Sequence, residues 1–459
     1  MALERADVSP DERFGLTPLA WAAKSGREAV VKMLLERGAN PNAVGRYRQT
    51  PLFAAACEGH EGVVKMLLEW KDRGFNTAAA DGEAPLLRAP CLGSGGVVEM
   101  PPEYRGIDPN AADQDGRTPL FIAARKGRKG VVKILLERDD VNPNAVDKHG
   151  RTPLCEAAEK GYRGVVKMLL KRWDVDPNRA GNFGETPLYA AAYWDYGEVM
   201  ETLLGRVDVD PNIADEDGQT PLFVAARDGN QVAVGTLLDY DEVNPNIADQ
   251  DGQTPLFAAA GSGYTTVVHS LLTRKDVDPN SARQDGQTPL FKAVLEGHYE
   301  VMMMLLEQVH VNPNAADNQG RTPLSLAALK GDARAVWLLL RRADANPNSL
   351  SDYDGGAPLS IAAREGHEEV VKVLLARDDV NPNTPQQHGQ TPLFVAASAG
   401  HEGVVRMLLE RRGVDPNRAD DYGQNPLSAA VRQGHEGVVK ILLKQMWRTA
   451  KGSAGRKGR

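Results

Sequence analysis

A proline followed by leucine returns thirteen times along this chain: Pro18, Pro51, Pro85, Pro119, Pro153, Pro187, Pro221, Pro255, Pro289, Pro323, Pro358, Pro392 and Pro426. The step is 34 residues, except for 33 at the first and 35 between Pro323 and Pro358. A period of that length means a repeat array, in which each unit buries its apolar surface against its neighbours and no central core forms. The repeat overrides length as a guide, since 459 residues would otherwise suggest about two to four globular domains.

The unit from Asp147 to Asn178 shows the local physics. Gly150-Arg151-Thr152-Pro153 reads as a turn, an N-cap and a first helical residue. Thr152 can accept from an orphan backbone N–H, and Pro153 lacks an N–H that would be unpaired there anyway. Leu154, Ala157 and Ala158 give a short helix with a small-residue face, and Gly161 ends it. Val165, Val166, Met168, Leu169 and Leu170 are spaced as the apolar stripe of a second helix. Asp174-Val175-Asp176-Pro177-Asn178 then turns the chain outward. Each unit is predicted to be turn, short helix A, turn, longer helix B and extended loop, giving an all-α solenoid of helix-turn-helix units.

The pattern Asp-x-x-Gly-x-Thr-Pro-Leu, then Ala-Ala, Gly-His, Val-Val and Leu-Leu resembles the ankyrin repeat, and the long array is similar to those of filamentous fungi. The resemblance covers residues 13–446. The glycine eight after the proline and the Leu-Leu pair each occur in twelve of thirteen units. It implies a binding surface rather than an enzyme, with no cofactor, no metal and protein partners. Ankyrin repeats usually carry histidine after Pro-Leu, as a polar tie between units. Here that site is phenylalanine in six units (Phe53, Phe121, Phe223, Phe257, Phe291, Phe394), which predicts apolar packing instead.

The chain is expected to divide into a remnant of a preceding repeat or cap at 1–12, repeats 1–2 at 13–80, a degenerate repeat 3 at 81–113, repeats 4–13 at 114–446 and a basic disordered tail at 447–459. Leu3-Glu4-Arg5-Ala6-Asp7-Val8-Ser9-Pro10 resembles the end of another repeat, so a longer ancestor or a truncated gene is expected. In the third unit Pro90 replaces a helix-A alanine and Pro101-Pro102 replaces Leu-Leu. An interior helical proline costs about 3 kcal/mol, so residues 86–105 are expected to be a soft joint separating units 1–2 from 4–13.

Few residues in the chain are arranged for chemistry. The three cysteines (Cys57, Cys91, Cys155) form neither a disulfide framework nor a Cys-x-x-Cys metal site. Five histidines (His60, His298, His367, His401, His435) share one repeat position, which argues for a structural role. Gly93-Ser94-Gly95-Gly96 lacks the lysine and flanking elements of a phosphate loop. A net charge of −8 gives no reason to expect direct binding to nucleic acid or anionic lipid. No stretch approaches the ~18 apolar residues of a membrane span. The expectation is an intracellular monomer, cytoplasmic first, with the nucleus as the alternative because six basic residues and no acid follow from Lys444 onward.

Partner residues should lie where units differ, because shared residues stack. The sixth unit carries Phe183 at its hairpin tip, then Tyr189, Tyr193, Trp194 and Tyr196, with Asp195 in place of the inter-helix glycine. These aromatics are candidates for an interface, or for filling gaps left by the altered turn. Acidic tips form the second candidate set. Aspartates six before the proline (Asp113, Asp249, Asp317) should brace turns, whereas Asp115, Glu216, Asp217, Asp251 and Asp285 occupy freer positions and favour a partner with a basic segment. Arg125, Lys126, Arg227 and Lys292 on the A helices temper that bias. A scaffold or adaptor is the leading reading, with a nuclear co-regulator or the detached recognition region of a larger sensor as alternatives.

Overall fold

The computed structural model describes residues 15–45, 47–70, 108–351 and 355–454. All regular structure among them is helical. The chain divides into two compact units, Met1–Glu216 and Asp217–Arg459.

The first unit contains α1 (Pro18–Lys24), α2 (Glu28–Glu36), α3 (Pro51–Glu58), α4 (Glu61–Leu68), α5 (Pro119–Arg125), α6 (Lys129–Leu136), α7 (Pro153–Glu159), α8 (Arg163–Leu169), α9 (Pro187–Tyr193) and α10 (Gly197–Leu204). The second contains α11 (Pro221–Asp228), α12 (Gln231–Leu238), α13 (Pro255–Ser262), α14 (Thr265–Thr273), α15 (Pro289–Glu296), α16 (Tyr299–Glu307), α17 (Pro323–Lys330), α18 (Ala333–Leu340), α19 (Pro358–Glu365), α20 (Glu368–Leu375), α21 (Pro392–Ala399), α22 (Glu402–Glu410), α23 (Pro426–Gln433) and α24 (Glu436–Ala454). Odd-numbered helices are the A helices and even-numbered ones the B helices. Within each unit, A packs on A and B on B from one repeat to the next.

Every described A helix begins at a repeat proline, and the capping works as the sequence implies. Thr118 Oγ1 accepts from Phe121 N at 3.2 Å, and Thr254 Oγ1 from Phe257 N at 3.3 Å. Where alanine precedes Pro358, no side chain caps the helix. The inter-helix glycine takes a left-handed conformation, as at Gly229 with φ 79°. The core repeats in layers: the leucine after proline, the alanine pair, the Val-Val pair and the first leucine of Leu-Leu are buried in unit after unit. All six phenylalanines are buried, so apolar packing does take the place of the polar tie. Truncating one such side chain to alanine costs about 3–5 kcal/mol.

Polar ties join successive repeats at three other levels. His401 Nε2 lies 2.9 Å from Arg364 O, His298 Nε2 3.1 Å from Gly261 O and His60 Nε2 2.9 Å from Lys24 O, so the shared histidines are structural. Asparagines of the Pro-Asn pairs bridge forward. Asn144 donates to Asp174 O at 2.6 Å and accepts from Asp176 N at 3.0 Å. Asn280 repeats this with His310 O and Asn312 N, both at 2.7 Å. An arginine past the B helix reaches back to the end of the preceding B helix. Arg274 donates to Leu238 O at 3.2 Å, Tyr240 O at 3.0 Å and Val243 O at 3.1 Å, while Asp276 holds its guanidinium. These bonds satisfy carbonyls that a helix end leaves unpaired.

The soft joint expected at 86–105 lies outside the described residues. Helix α3 packs on α5, and α4 on α6. Gln114 N donates to Tyr47 O at 3.1 Å, Asp108 N to Asn42 Oδ1 at 3.1 Å and Arg138 to Leu68 O at 3.2 Å. Elsewhere these bonds join adjacent repeats, as in Lys148 N to Asp115 O and Asp176 N to Asn144 Oδ1. The second repeat therefore stacks directly on the fourth. The basic tail is corrected in part. Helix α24 continues to Ala454, because no proline interrupts Lys444-Gln445-Met446-Trp447-Arg448-Thr449-Ala450-Lys451 and these residues tolerate a helix. Residues 1–12 and 455–459 lie outside the described residues.

Candidate functional site

The hairpin tips are built by aspartates that fold the backbone around themselves. Asp113 Oδ1 accepts from Asp115 N at 2.9 Å and Arg117 N at 3.0 Å, and Asp317 Oδ1 does the same with Gln319 N and Arg321 N. Most described tips also donate a backbone bond to the tip before them, such as Glu216 N to Phe183 O at 3.0 Å and Asn318 N to Asp285 O at 2.9 Å. The backbone is thereby fixed, and the side chains at the freer positions are presented on a rigid edge.

Those freer acids are not alike. Asp115 is half-buried, with Lys148 Nζ at 2.8 Å and Arg117 at 3.0 Å. The hydrogen bond from Lys148 and the nearby Arg117 charge hold its carboxyl below the usual range. It is charged but already compensated. Arg283 sits 3.6 Å from Asp251 and 3.8 Å from Asp285, which shares one guanidinium between two tips. Glu216, Asp217 and Asp251 are exposed. Lys148 and Arg283 vary between units, and their neutralising role becomes visible once tips 34 residues apart stand side by side.

The aromatics of the sixth unit separate into two groups. Tyr189 is 5% exposed and its hydroxyl donates to Asp215 Oδ2 at 2.8 Å, so it is a core residue that braces a tip. The expectation that it faces a partner is corrected. Its position after Pro-Leu is the one phenylalanine fills elsewhere, and that register was the available signal. Tyr196 lies with its ring against Gly161, at the position histidine or tyrosine fills in other repeats, so it stacks even though one edge is exposed. Phe183, Tyr193 and Trp194 are exposed, Trp194 by 51%. Tyr193 and Trp194 meet edge to face, with centroids 5.2 Å apart. Asp195 holds the left-handed conformation that glycine has in the other repeats, with φ 60°. Aspartate tolerates this better than most residues, though at some cost. The residue after Trp194 is thus held in strain, and the pair is presented where helix α9 ends.

Comparison with known proteins matches the family model described as ankyrin repeats (3 copies) over residues 1–81, 92–181, 188–283, 262–351, 308–386, 337–420 and 359–451. Among 512 matching solved chains is the crystal structure of the ankyrin repeat domain of Bcl-3, described as a unique member of the IkappaB protein family. It is 28% identical, covers 50% of this chain and 99% of its own, and superposes with a TM-score of 0.45. A comparison with curated proteins returned no match.

Proposed function

The chain belongs to the ankyrin-repeat family, whose repeats are protein–protein interaction modules, and from that premise we propose that it is a scaffold or adaptor holding partner proteins along its hairpin tips and A-helix side. The observation that carries this reading is the exposed Tyr193–Trp194 pair, with Phe183 on the tip of the same repeat. Large aromatics presented on a rigid frame supply contact area at low entropic cost, and they dominate interface energetics. The exposed carboxylates of Glu216, Asp217 and Asp251 would favour a basic stretch in the partner. Asp115 and Asp285 would contribute less, and Asp251 less than Glu216 and Asp217, because Lys148, Arg117 and Arg283 already lie beside them.

The test compares affinity capture by the wild-type chain and by the double variant Tyr193→Ala/Trp194→Ala. The variant is expected to lose its specific partners while melting within about 2 °C of wild type, since exposed substitutions rarely exceed ~0.5 kcal/mol. Unchanged capture with a lowered melting temperature would show that the rings only fill the altered turn. Capture that persists undiminished in high salt would remove the acidic tips from the reading while leaving the aromatics in it.

A further inference from the structure

The net charge of −8 conceals a local excess of the opposite sign. Residues 125–172 carry 13 basic and 6 acidic side chains. Part of this set is spent in structural pairs: Arg138 with Asp140 at 2.5 Å, Arg172 with Asp174 at 2.5 Å and Arg151 with Asp147 at 3.1 Å. Five of the others gather on the B-helix side. Lys129 and Lys133 lie on α6, Arg163 and Lys167 on α8, and Lys171 just past its end. Spacing by four places each set in a row along its helix. Helices α6 and α8 pack side by side, and all five side chains are exposed. Arg163 meets Glu198 at 3.2 Å and Lys133 reaches Glu137 at 4.0 Å. Lys129, Lys167 and Lys171 have no ion pair among the described residues.

Two of these cations stand where helix physics disfavours them. A helix N-terminus carries partial positive charge and is stabilised by acids. Five other B helices open on Glu28, Glu61, Glu368, Glu402 and Glu436. Helix α6 opens on Lys129 and α8 on Arg163, with no acid in either first turn. Two adjacent repeats thus open on cations where five others open on acids, and Arg163 is offset only from the next repeat, by Glu198. At the same edge Trp173 is 90% exposed, two residues past Lys171. A groove between α8 and α10 is lined by Arg163, Lys167, Leu170, Lys171 and Arg206, with Glu201 as its one acid.

We propose that the B-helix face of α6 and α8, with Trp173 at its edge, is a docking site for an acidic protein segment carrying an apolar side chain. This surface is distinct from the tips and the A-helix side, and it selects the opposite charge. Its width argues for a narrow occupant. Glu137 flanks it on α6, and Glu198 and Glu201 flank it on α10, leaving a positive strip two helices wide, about 20 Å. A bilayer or a nucleic-acid duplex would press phosphates onto those carboxylates, whereas a single acidic strand can lie between them, its apolar side chain meeting Trp173 and Leu170.

The test uses the full chain and a fluorescein-labelled peptide of glutamates interrupted by leucine and phenylalanine, read by anisotropy. Binding is expected at low salt, weakening as salt rises. The triple variant Lys129→Gln/Arg163→Gln/Lys167→Gln should bind roughly tenfold more weakly and melt within about 2 °C of wild type, because all three side chains are exposed. Trp173→Ala should weaken the peptide with leucine and phenylalanine more than one with glutamate and glycine. The control Lys372→Gln/Arg406→Gln/Lys440→Gln, on the same face of α20, α22 and α24, should bind like wild type. No binding by the wild-type chain, equal loss in the control, or full binding by the triple variant would each overturn the proposal. So would tighter binding to phosphatidylserine vesicles or to a DNA duplex than to the peptide.

Discussion

Glu156 is the carboxylate that helix α7 places where most other A helices set alanine, valine, isoleucine or leucine. It is 1% exposed. Arg151 approaches its Oε1 at 2.7 Å without hydrogen-bonding geometry, and Arg125 lies 3.5 Å from Oε2. Burial raises its pKa, outweighing the lowering by Arg151 and Arg125. The folded protein therefore holds this proton more tightly than the unfolded chain does. Its contribution to stability is complete below the unfolded carboxyl pKa, about 4.3, and is lost as pH rises through the folded value. Glu156→Gln removes that loss. The variant should be more stable than wild type at pH 7, with the gain vanishing below about pH 4. Calorimetric melting at both pH values checks this, and a variant less stable at neutral pH would refute it. The identity of Glu156 as an oddity was legible in the repeat alignment of the sequence. Its burial between two arginines was not, because Arg125 belongs to the preceding repeat.

At the scale of elements, each helix pair is specified by its own residues, and the ties between pairs are not. Threonine caps, proline starts and left-handed glycine ends follow from local chemistry. The arginine that closes the preceding B helix does not. In the sequence Arg274 is one basic residue in a loop, yet it donates to Leu238 O, Tyr240 O and Val243 O. A planar guanidinium can serve several acceptors at once, and an ammonium cannot reproduce that fork. Arg274→Ala should cost about 1–3 kcal/mol, and Arg274→Lys should recover less than half of it. Hydrogen exchange at the end of α12 would report both, and a lysine variant protected like wild type would count against the tie. Tyr240 and Gln308 occupy the same register without this reach, so the ladder of arginines is interrupted within the array.

For the whole molecule, the third sequence repeat and the stack disagree. Thirteen prolines are in register, but the described helices form twelve pairs and the second repeat packs directly on the fourth. Deleting residues 71–104 removes one period of 34 residues and joins Trp70 to Arg105 in register. Stability in such arrays is a sum over repeats and their neighbour interfaces. The deleted chain should therefore melt within about 2 °C of wild type, whereas deleting 153–186, a repeat inside the stack, should lower stability clearly. Equal losses from the two deletions would show that 71–104 contributes an interface after all.

By itself the sequence determined the unit: its length, its two helices, their starts and stops, and the solenoid class. These depend on residues within one period, where local capping and a short-range apolar pattern act. Tertiary structure decided which residues are free to act. It put Tyr189 into the core, set Tyr196 over Gly161, compensated Asp115 with Lys148 and lined up the cations of α6 and α8. Each of those outcomes depends on a neighbour about 34 residues away. In the chain such partners are separated by a whole repeat, and only stacking brings them within the few ångströms at which burial, hydrogen bonding and charge take effect.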